Sequence, residues 1–388
     1  MANTLNDLIP DLYAAIDVVS RELTGLIPAV TVDAQVNRAA VNQSVRVPIT
    51  AANIAGGNIT PAMAFPAAAD QIIGNSEIKI TKAKSYPFSW TGNEQDGLNT
   101  GAGYMGIRNN QMLQAIRACV NEIESDLAGL QKTFSRAYGA PTTTPFGTGG
   151  DFTDATQTLK ILKDNGAPLS DNHLVVNTAA GANFLGKQSN SSVQFQDSIL
   201  KQGVFQTISG MDIRESGFIE TQTAGAMANA TTLAANALTV GQTTIALATA
   251  GTGVVAAGDI IKLANDANYY TVTSVTFAGV NPAAGDIIVI AEPGIRVAQA
   301  VGARAITVSA TAARNMAFNR SAIVLATRLP ERPSEGDMAL DVTSITDPRT
   351  GLTFEIAMYA GYRMVRYEIA LAWGVKNIKP AHTAILMG

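Results

Sequence analysis

From Ile107 to Tyr138 the chain carries one uninterrupted helical signal. Leu113, Ile116, Val120, Ile123, Leu127, Leu130, Phe134 and Tyr138 recur at steps of three and four residues. Such spacing keeps one apolar stripe on one side of a helix. No proline interrupts the run, and Gly129 is its only glycine. A helix over 107–138 would be about 48 Å long, whereas a compact globule of this chain length has a radius of gyration of about 21 Å. The pattern therefore predicts a beam that nearly crosses the molecule, with everything else arranged around it.

With 388 residues the chain is long enough for two or three cores. Hydrophobic residues make up 47% and charged residues 15%, which excludes a disordered chain and suits a surface largely covered by copies of itself. The net charge of −4 argues against a dedicated nucleic-acid binder. Cys119 is the single cysteine, so no intrachain disulfide or multi-thiolate metal site can form. Its place beside Val120 of the stripe predicts a buried structural thiol. The start, MANTLNDLIPDLYAAIDVVSREL, lacks the basic region of a signal peptide. No run of eighteen apolar residues is present, the length a membrane-spanning helix requires. A soluble chain made in a reducing cytoplasm is expected.

Residues 1–30 read as an amphipathic helix with Leu12, Ile16, Val19 and Leu23 on one face, ending at Gly25, with Pro28 preventing its resumption. SVRVPIT and SEIKITKAKSYPFSW then alternate as strands do, joined by about twenty-five residues rich in Gly, Ala and Pro. Within a compact domain so long a loop would count against the assignment; as a projection lying on a neighbour it fits. After the beam, DATQTLKILKDNG predicts a helix, HLVVN a buried strand, TAAGANFLG a helix and TISGMDIRES a strand. Thr221 to Ala310 holds only seven charges, Asp259, Lys262, Asp266, Asp286, Glu292, Arg296 and Arg304, among short β-branched runs. That spacing predicts a small β-barrel or sandwich inserted into the α/β part. Gly258-Asp259-Ile260-Ile261 and Gly285-Asp286-Ile287-Ile288 look alike, without establishing a repeat. From Ala313 to the last residue the text reads as strands and loops.

Chemistry is sparse. Gly101 to Gly106 is formally GxGxxG, but the ten residues TGNEQDGLNT separate it from the preceding strand and read as a polar loop, so it predicts a hinge ahead of the long helix. Glu122 and Glu124, where a ribose-binding acid would be sought, still belong to that helix. GANFLGK, Gly181 to Lys187, matches a phosphate loop until Gln188 replaces the magnesium-binding hydroxyl, and it reads as the body of a helix. His173 and His382 are the only histidines and lie in no motif. No enzyme, cofactor or metal is expected. Lys79, Lys82 and Lys84 are read as a solvated strand face, with a charged subunit contact as the functional alternative.

The order of these parts resembles the major capsid (coat) proteins of tailed bacteriophages, whose fold is shared with herpesvirus shells. It is most similar to the short-tailed Salmonella-phage type with an inserted β-barrel. The similarity spans essentially the whole chain and is most detailed in ARNMAFNRSAIVLATRLP and in YEIALAWGVKNIKPAHTAILMG, with Ala370, Trp373, Gly374, Val375 and Pro380 in the expected order. It implies an α+β fold: an N-terminal arm over 1–44, an extended loop over 45–104, a peripheral domain with the spine helix over 105–150 and 361–388, an axial domain over 151–220 and 311–360, and the inserted all-β domain over 221–310. It implies a subunit forming hexamers and pentamers of an icosahedral virion shell around double-stranded DNA, assembled as a procapsid with separate scaffolding and portal proteins in the host bacterial cytoplasm. The helical start leaves no room for a fused scaffolding segment. Position in these parts marks Leu12, Ile16, Ile54, Ile59, Phe65, Lys79, Lys82, Lys84, Arg108 and Asp266 as subunit-contact candidates. An encapsulin-type compartment and a tail or baseplate protein are the alternatives; the first would carry a cargo-docking signature, and the second would not need the beam.

Overall fold

The computed structural model describes residues 23–50, 73–98, 104–148, 151–186, 207–346 and 350–388. Leu12, Ile16, Ile54, Ile59 and Phe65, the tip joining the two extended strands, and most of the residues 1–30 predicted to form the arm helix lie outside them.

The apolar stripe folds as an α-helix over Tyr104–Gly129, about 39 Å long. It is shorter than its periodicity predicts. Leu130–Thr133 tightens into a 3-10 turn, where the Thr133 hydroxyl donates to the Leu130 carbonyl at 2.8 Å. Phe134 then turns extended, with φ −76° and ψ 154°, and its ring stays in the core. Arg136–Gly139 becomes a strand instead of a last helical turn. Pairing decided this: the segment lies parallel to Thr383–Met387 and antiparallel to Tyr269 and Tyr270, which occupies its backbone groups on both sides.

A second departure precedes the beam. The stretch read as a polar loop contains the helix Gly92–Leu98. Thr91 and Glu94 close a reciprocal cap: Thr91 N donates to Glu94 Oε2 at 2.8 Å and Glu94 N to Thr91 Oγ1 at 3.4 Å. The TISGMDIRES strand is likewise two strands, Thr207–Ile208 and Met211–Glu215, folded back through Ser209 (φ 54°) and Gly210 (φ 80°). Positive φ at both central residues is the hairpin geometry that matches strand twist.

Three sheets organise the described residues. The first has six strands, with Thr31–Ala39, Ile323–Pro330, Met364–Asn377, Thr353–Gly361 and Ala339–Thr346 in that order, and Lys82–Thr91 paired along Met364–Asn377 from Met364 to Trp373. It packs on the long helix to form the main core with Ile116, Cys119, Ile123, Leu127, Phe354, Ile369 and Trp373. Cys119 is buried there, as its position predicts. A twelve-stranded sheet holds Asn172–Val176, Met211–Glu215, Ala312–Asn319 and Thr383–Met387. The helices Thr153–Asp164 and Thr178–Gly186 cover a second core against it. The sheets cross the boundary drawn at 360–361, since Ile323–Pro330 and Thr353–Gly361 pair with Met364–Asn377 and belong to the first sheet. Ser44–Thr50 and Ile73–Lys79 form a separate two-stranded sheet.

The β-branched runs of the charge-poor stretch, TTIALATA, GDIIKLA, YYTVTSVTF, GDIIVIA and RAITVSA, each hold a strand: Thr244–Ala246, Ile260–Leu263, Tyr269–Thr276, Ile287–Ile290 and Ile306–Val308. They enclose their own core of Ile245, Ile261, Tyr270, Val272, Ile288 and Ile306. The two GDII copies are built alike. Gly258 and Gly285 take φ 96° and 100°, and Asp259 and Asp286 each accept from the backbone N–H three residues back, Ala256 N at 2.7 Å and Ala283 N at 2.8 Å. Both aspartates are buried, as is Asp266. The few carboxylates of this stretch therefore serve its turns.

Candidate functional site

The described residues assemble no catalytic constellation. They hold no group of three or more His, Cys, Asp and Glu placed for a metal, and no helix long and apolar enough to cross a membrane. A cleft of about 590 Å³ beside the helix Thr153–Asp164 is lined by Asp151, Asp154 and Asp164. Asp151 and Asp154 are engaged by Thr153 N and Phe146 N, and the lining has no histidine, cysteine or serine. The GANFLG segment is helical, within Thr178–Gly186.

What the chain does build is a set of joints around the long helix. At the first, the chain leaves residues 1–22 behind and enters through Gly25. A Cβ on Gly25 would lie 2.5 Å from the Glu215 carbonyl oxygen, so the backbones meet closely only because this residue is glycine. Leu26 and Ile27 are fully buried. Their N–H groups donate to the carboxylate of Glu124, Leu26 N to Oε1 at 2.7 Å and Ile27 N to Oε2 at 3.0 Å. Ser216 Oγ donates to Oε1 at 2.9 Å. One carboxylate thus ties the root of the N-terminal segment to the helix and to the end of Met211–Glu215. Burial pushes the Glu124 pKa above its ordinary 4.5, against the pull of these donors.

The second joint fastens Lys82–Thr91 to the opposite side of the helix. Lys82 Nζ reaches Glu122 at 2.9 Å and Asp126 at 2.7 Å, and Lys84 also pairs with Glu122. Tyr86 Oη donates to Glu122 at 2.7 Å. Trp373 Nε1 donates to Asp126 and Trp90 Nε1 to Gln111, both at 2.8 Å. Burial would raise the Glu122 pKa, but the Lys84, Lys82 and Tyr86 donors bring it down to about 2.

The third joint is the base of the two-stranded hairpin. Ile78 and Ile80 are buried against Ala39, Val324, Ala326 and Ala372. Lys376 Nζ donates to the Glu77 carbonyl at 2.9 Å. Gly374 passes so close that a Cβ would lie 2.0 Å from the Lys79 carbonyl oxygen.

Of the contact candidates described, Lys82 and Lys84 are engaged within the chain as above, and Lys79 is exposed at the hairpin end. Arg108 is buried with its guanidinium over the Tyr367 ring, 5.7 Å from the centroid. Asp266 accepts from Asn268 N, Asn268 Nδ2 and the Tyr270 hydroxyl. Among the described candidates, Lys82 and Lys84 meet on Glu122. Sequence reading passed over Glu122, Glu124 and Asp126. Glu124 carried a signal, since a carboxylate between Val120 and Leu127 of a core-facing stripe requires buried donors.

No family model and no curated protein matches this sequence. Solved structures do. The capsid asymmetric unit of cyanophage A-1(L) aligns over 94% of this chain and 93% of its own, at 10% identity and TM-score 0.50. The fold is that of a phage capsid subunit. Looser similarities run to the capsid of cyanophage P-SCSP1u, with 10% identity, 92% and 86% coverage and TM-score 0.48, and to the SrpI encapsulin complex of Synechococcus elongatus PCC 7942, with 12% identity, 91% and 84% coverage and TM-score 0.39.

Proposed function

We propose that the chain is a major capsid (coat) protein of a tailed phage, of the short-tailed type with an inserted β domain. It self-assembles into the hexamers and pentamers of an icosahedral head enclosing double-stranded DNA. The observation that carries this reading is the hairpin Ser44–Thr50 with Ile73–Lys79. No other strand pairs with it among the described residues, and an isolated two-stranded sheet is marginal in water. Its base is nonetheless locked by a buried cluster and a glycine contact. A hairpin anchored so firmly, and joined by no further strand among the described residues, is suited to lie on a neighbouring copy.

Head-to-tail contacts of this kind are heterologous and close into rings. Each contact need be only moderate, because a subunit in a shell must break several at once to leave. The low charge suits a shell wall that touches packaged DNA without gripping it. Scaffolding and portal proteins are the further partners, with synthesis in the bacterial cytoplasm and residence in the virion.

The test is velocity sedimentation and negative-stain microscopy of the full chain, expressed alone and with any small helical protein encoded beside it. Closed shells, tubes or spirals of hexamer-like units are expected. A uniform monomer or dimer under both conditions would sink the proposal. Shells that enclose a protein cargo in place of DNA would assign the same fold to a compartment.

A further inference from the structure

We infer that residues 231–242 and 295–305 form a face on which two copies of this chain meet, each presenting the same surface to the other about a two-fold axis. The two segments run antiparallel. Thr231 bridges to Ala305 and Leu238 to Gln299. Further along, Gly241 N donates to the Ile295 carbonyl at 2.8 Å and Ile295 N to the Gln242 carbonyl at 2.9 Å. Leu238 and Ile295 turn inward to the core of the charge-poor stretch. Outward the ribbon presents Val240, Val297 and Val301, which are 59%, 42% and 65% exposed, with Ala237, Ala298 and Ala300 exposed among them. A contiguous apolar patch of this kind marks an interaction surface, whereas apolar residues scattered singly do not.

Charge decides the occupant. The sequence has no charged residue from Thr221 to Gly258, and 295–305 holds only Arg296 and Arg304. Both guanidiniums are engaged within the chain. Arg296 Nη2 donates to the Asp164 carbonyl at 3.0 Å and Arg304 Nη2 to the Ala300 carbonyl at 3.4 Å. A face without carboxylates, its cations already engaged, has no charge pattern with which to select nucleic acid or an oppositely charged protein. It suits a copy of itself. In a two-fold contact, a residue near the axis meets its own counterpart. A charged face would therefore repel itself, whereas Ala, Val and Thr meet without that cost and with no ion to desolvate.

Size decides when the contact forms. Two extended segments of about ten residues, side by side, cover roughly 300 Å². Two such faces bury about 600 Å² together, half of the roughly 1,200 Å² at which stable interfaces begin. The face therefore does not hold a dimer in free solution. It acts where other contacts already keep copies side by side, as in the shell proposed above, and the inference rests on that reading. There it adds one more contact to those that must break together before a subunit leaves.

The test uses Val301→Lys and Val301→Glu in the full chain. Because this side chain is exposed, either variant should leave the urea midpoint of the unassembled subunit unchanged. Shells of either variant alone should come apart at lower urea than parent shells, or fail to form, and the loss should shrink as salt is raised. Shells co-assembled from equal amounts of the two should outlast shells of either alone, because a Lys then faces a Glu. Parent-like stability of both single-variant shells would overturn the contact. So would weakening by one sign only, or no gain on mixing, since the face would then meet a different surface. Those results leave the shell reading standing. A parent chain that forms no assembly overturns both, because this face is too small to pair two copies by itself.

Discussion

Glu122 and Glu124 are two residues apart on one helix, about 200° apart around its axis, and the protein treats them in opposite ways. Glu122 faces Lys82, Lys84 and Tyr86 at a partly wet edge, and its pKa falls to about 2. Glu124 is held by the backbone N–H groups of Gly25, Leu26 and Ile27 and by the Ser216 hydroxyl, in a site with no solvent exposure, and burial raises its pKa. The Glu122 joint is electrostatic and tolerates movement, because long flexible cations can follow a carboxylate. The Glu124 joint is dry and directional, because backbone N–H groups cannot re-aim.

The sharpest way to break this comparison is Glu124→Ala. It leaves the Gly25, Leu26 and Ile27 N–H groups and the Ser216 hydroxyl without their acceptor and opens a cavity, and it should cost about 4 kcal/mol in urea unfolding. Glu124→Gln is the more telling variant. Its amide must turn an N–H₂ toward a donor that now has no acceptor, so a loss of about 2 kcal/mol is expected even though a buried charge is removed. A neutral or stabilising Gln would mean that desolvation, not donor satisfaction, governs the joint.

Gly25→Ala tests the same root from the backbone side. The new Cβ would sit 2.5 Å from the Glu215 carbonyl oxygen and 3.1 Å from Val175 Cγ1. Backbone must move, at a cost of about 2 kcal/mol. Faster proteolysis within residues 1–24 should accompany the loss, measured by limited digestion of the full chain. A variant as stable and as protease-resistant as the parent would show that the root is looser than its contacts indicate.

The legible parts of this fold were the ones set by local pattern. The 113–127 stripe placed the helix, and the five β-branched runs of 221–310 placed five strands. The helix end was not legible, because Phe134 reaches the core equally well from an extended backbone, and the strand partners of Arg136–Gly139 lie over a hundred residues away. The Thr91–Glu94 cap was written in the sequence as T-G-N-E and was hidden by the surrounding polar residues. The joints were the least legible. Lys82 and Lys84 look like a solvated strand face until the helix brings Glu122, about forty residues on, against them. Glu124 alone announced itself, as a charge on an apolar stripe.

The smallest effect separates the two joints most cleanly by pH. Glu122→Gln removes an ion-pair centre whose side chains are 22% to 48% exposed, so about 1 kcal/mol is expected at neutral pH and low salt, and less at high salt. Because the folded pKa of Glu122 lies below its ordinary 4.5, its contribution is complete above that value and is lost as pH falls toward about 2. Glu124 has the opposite sign. Its folded pKa lies above 4.5, so its contribution is complete in acid and is lost as pH rises through the raised value. From about pH 3 to 7, the stability gap between parent and Glu122→Gln should therefore widen while that of Glu124→Gln narrows. Gaps that move in the same direction would show that the two carboxylates share one environment, and the division between a wet joint and a dry one would fall.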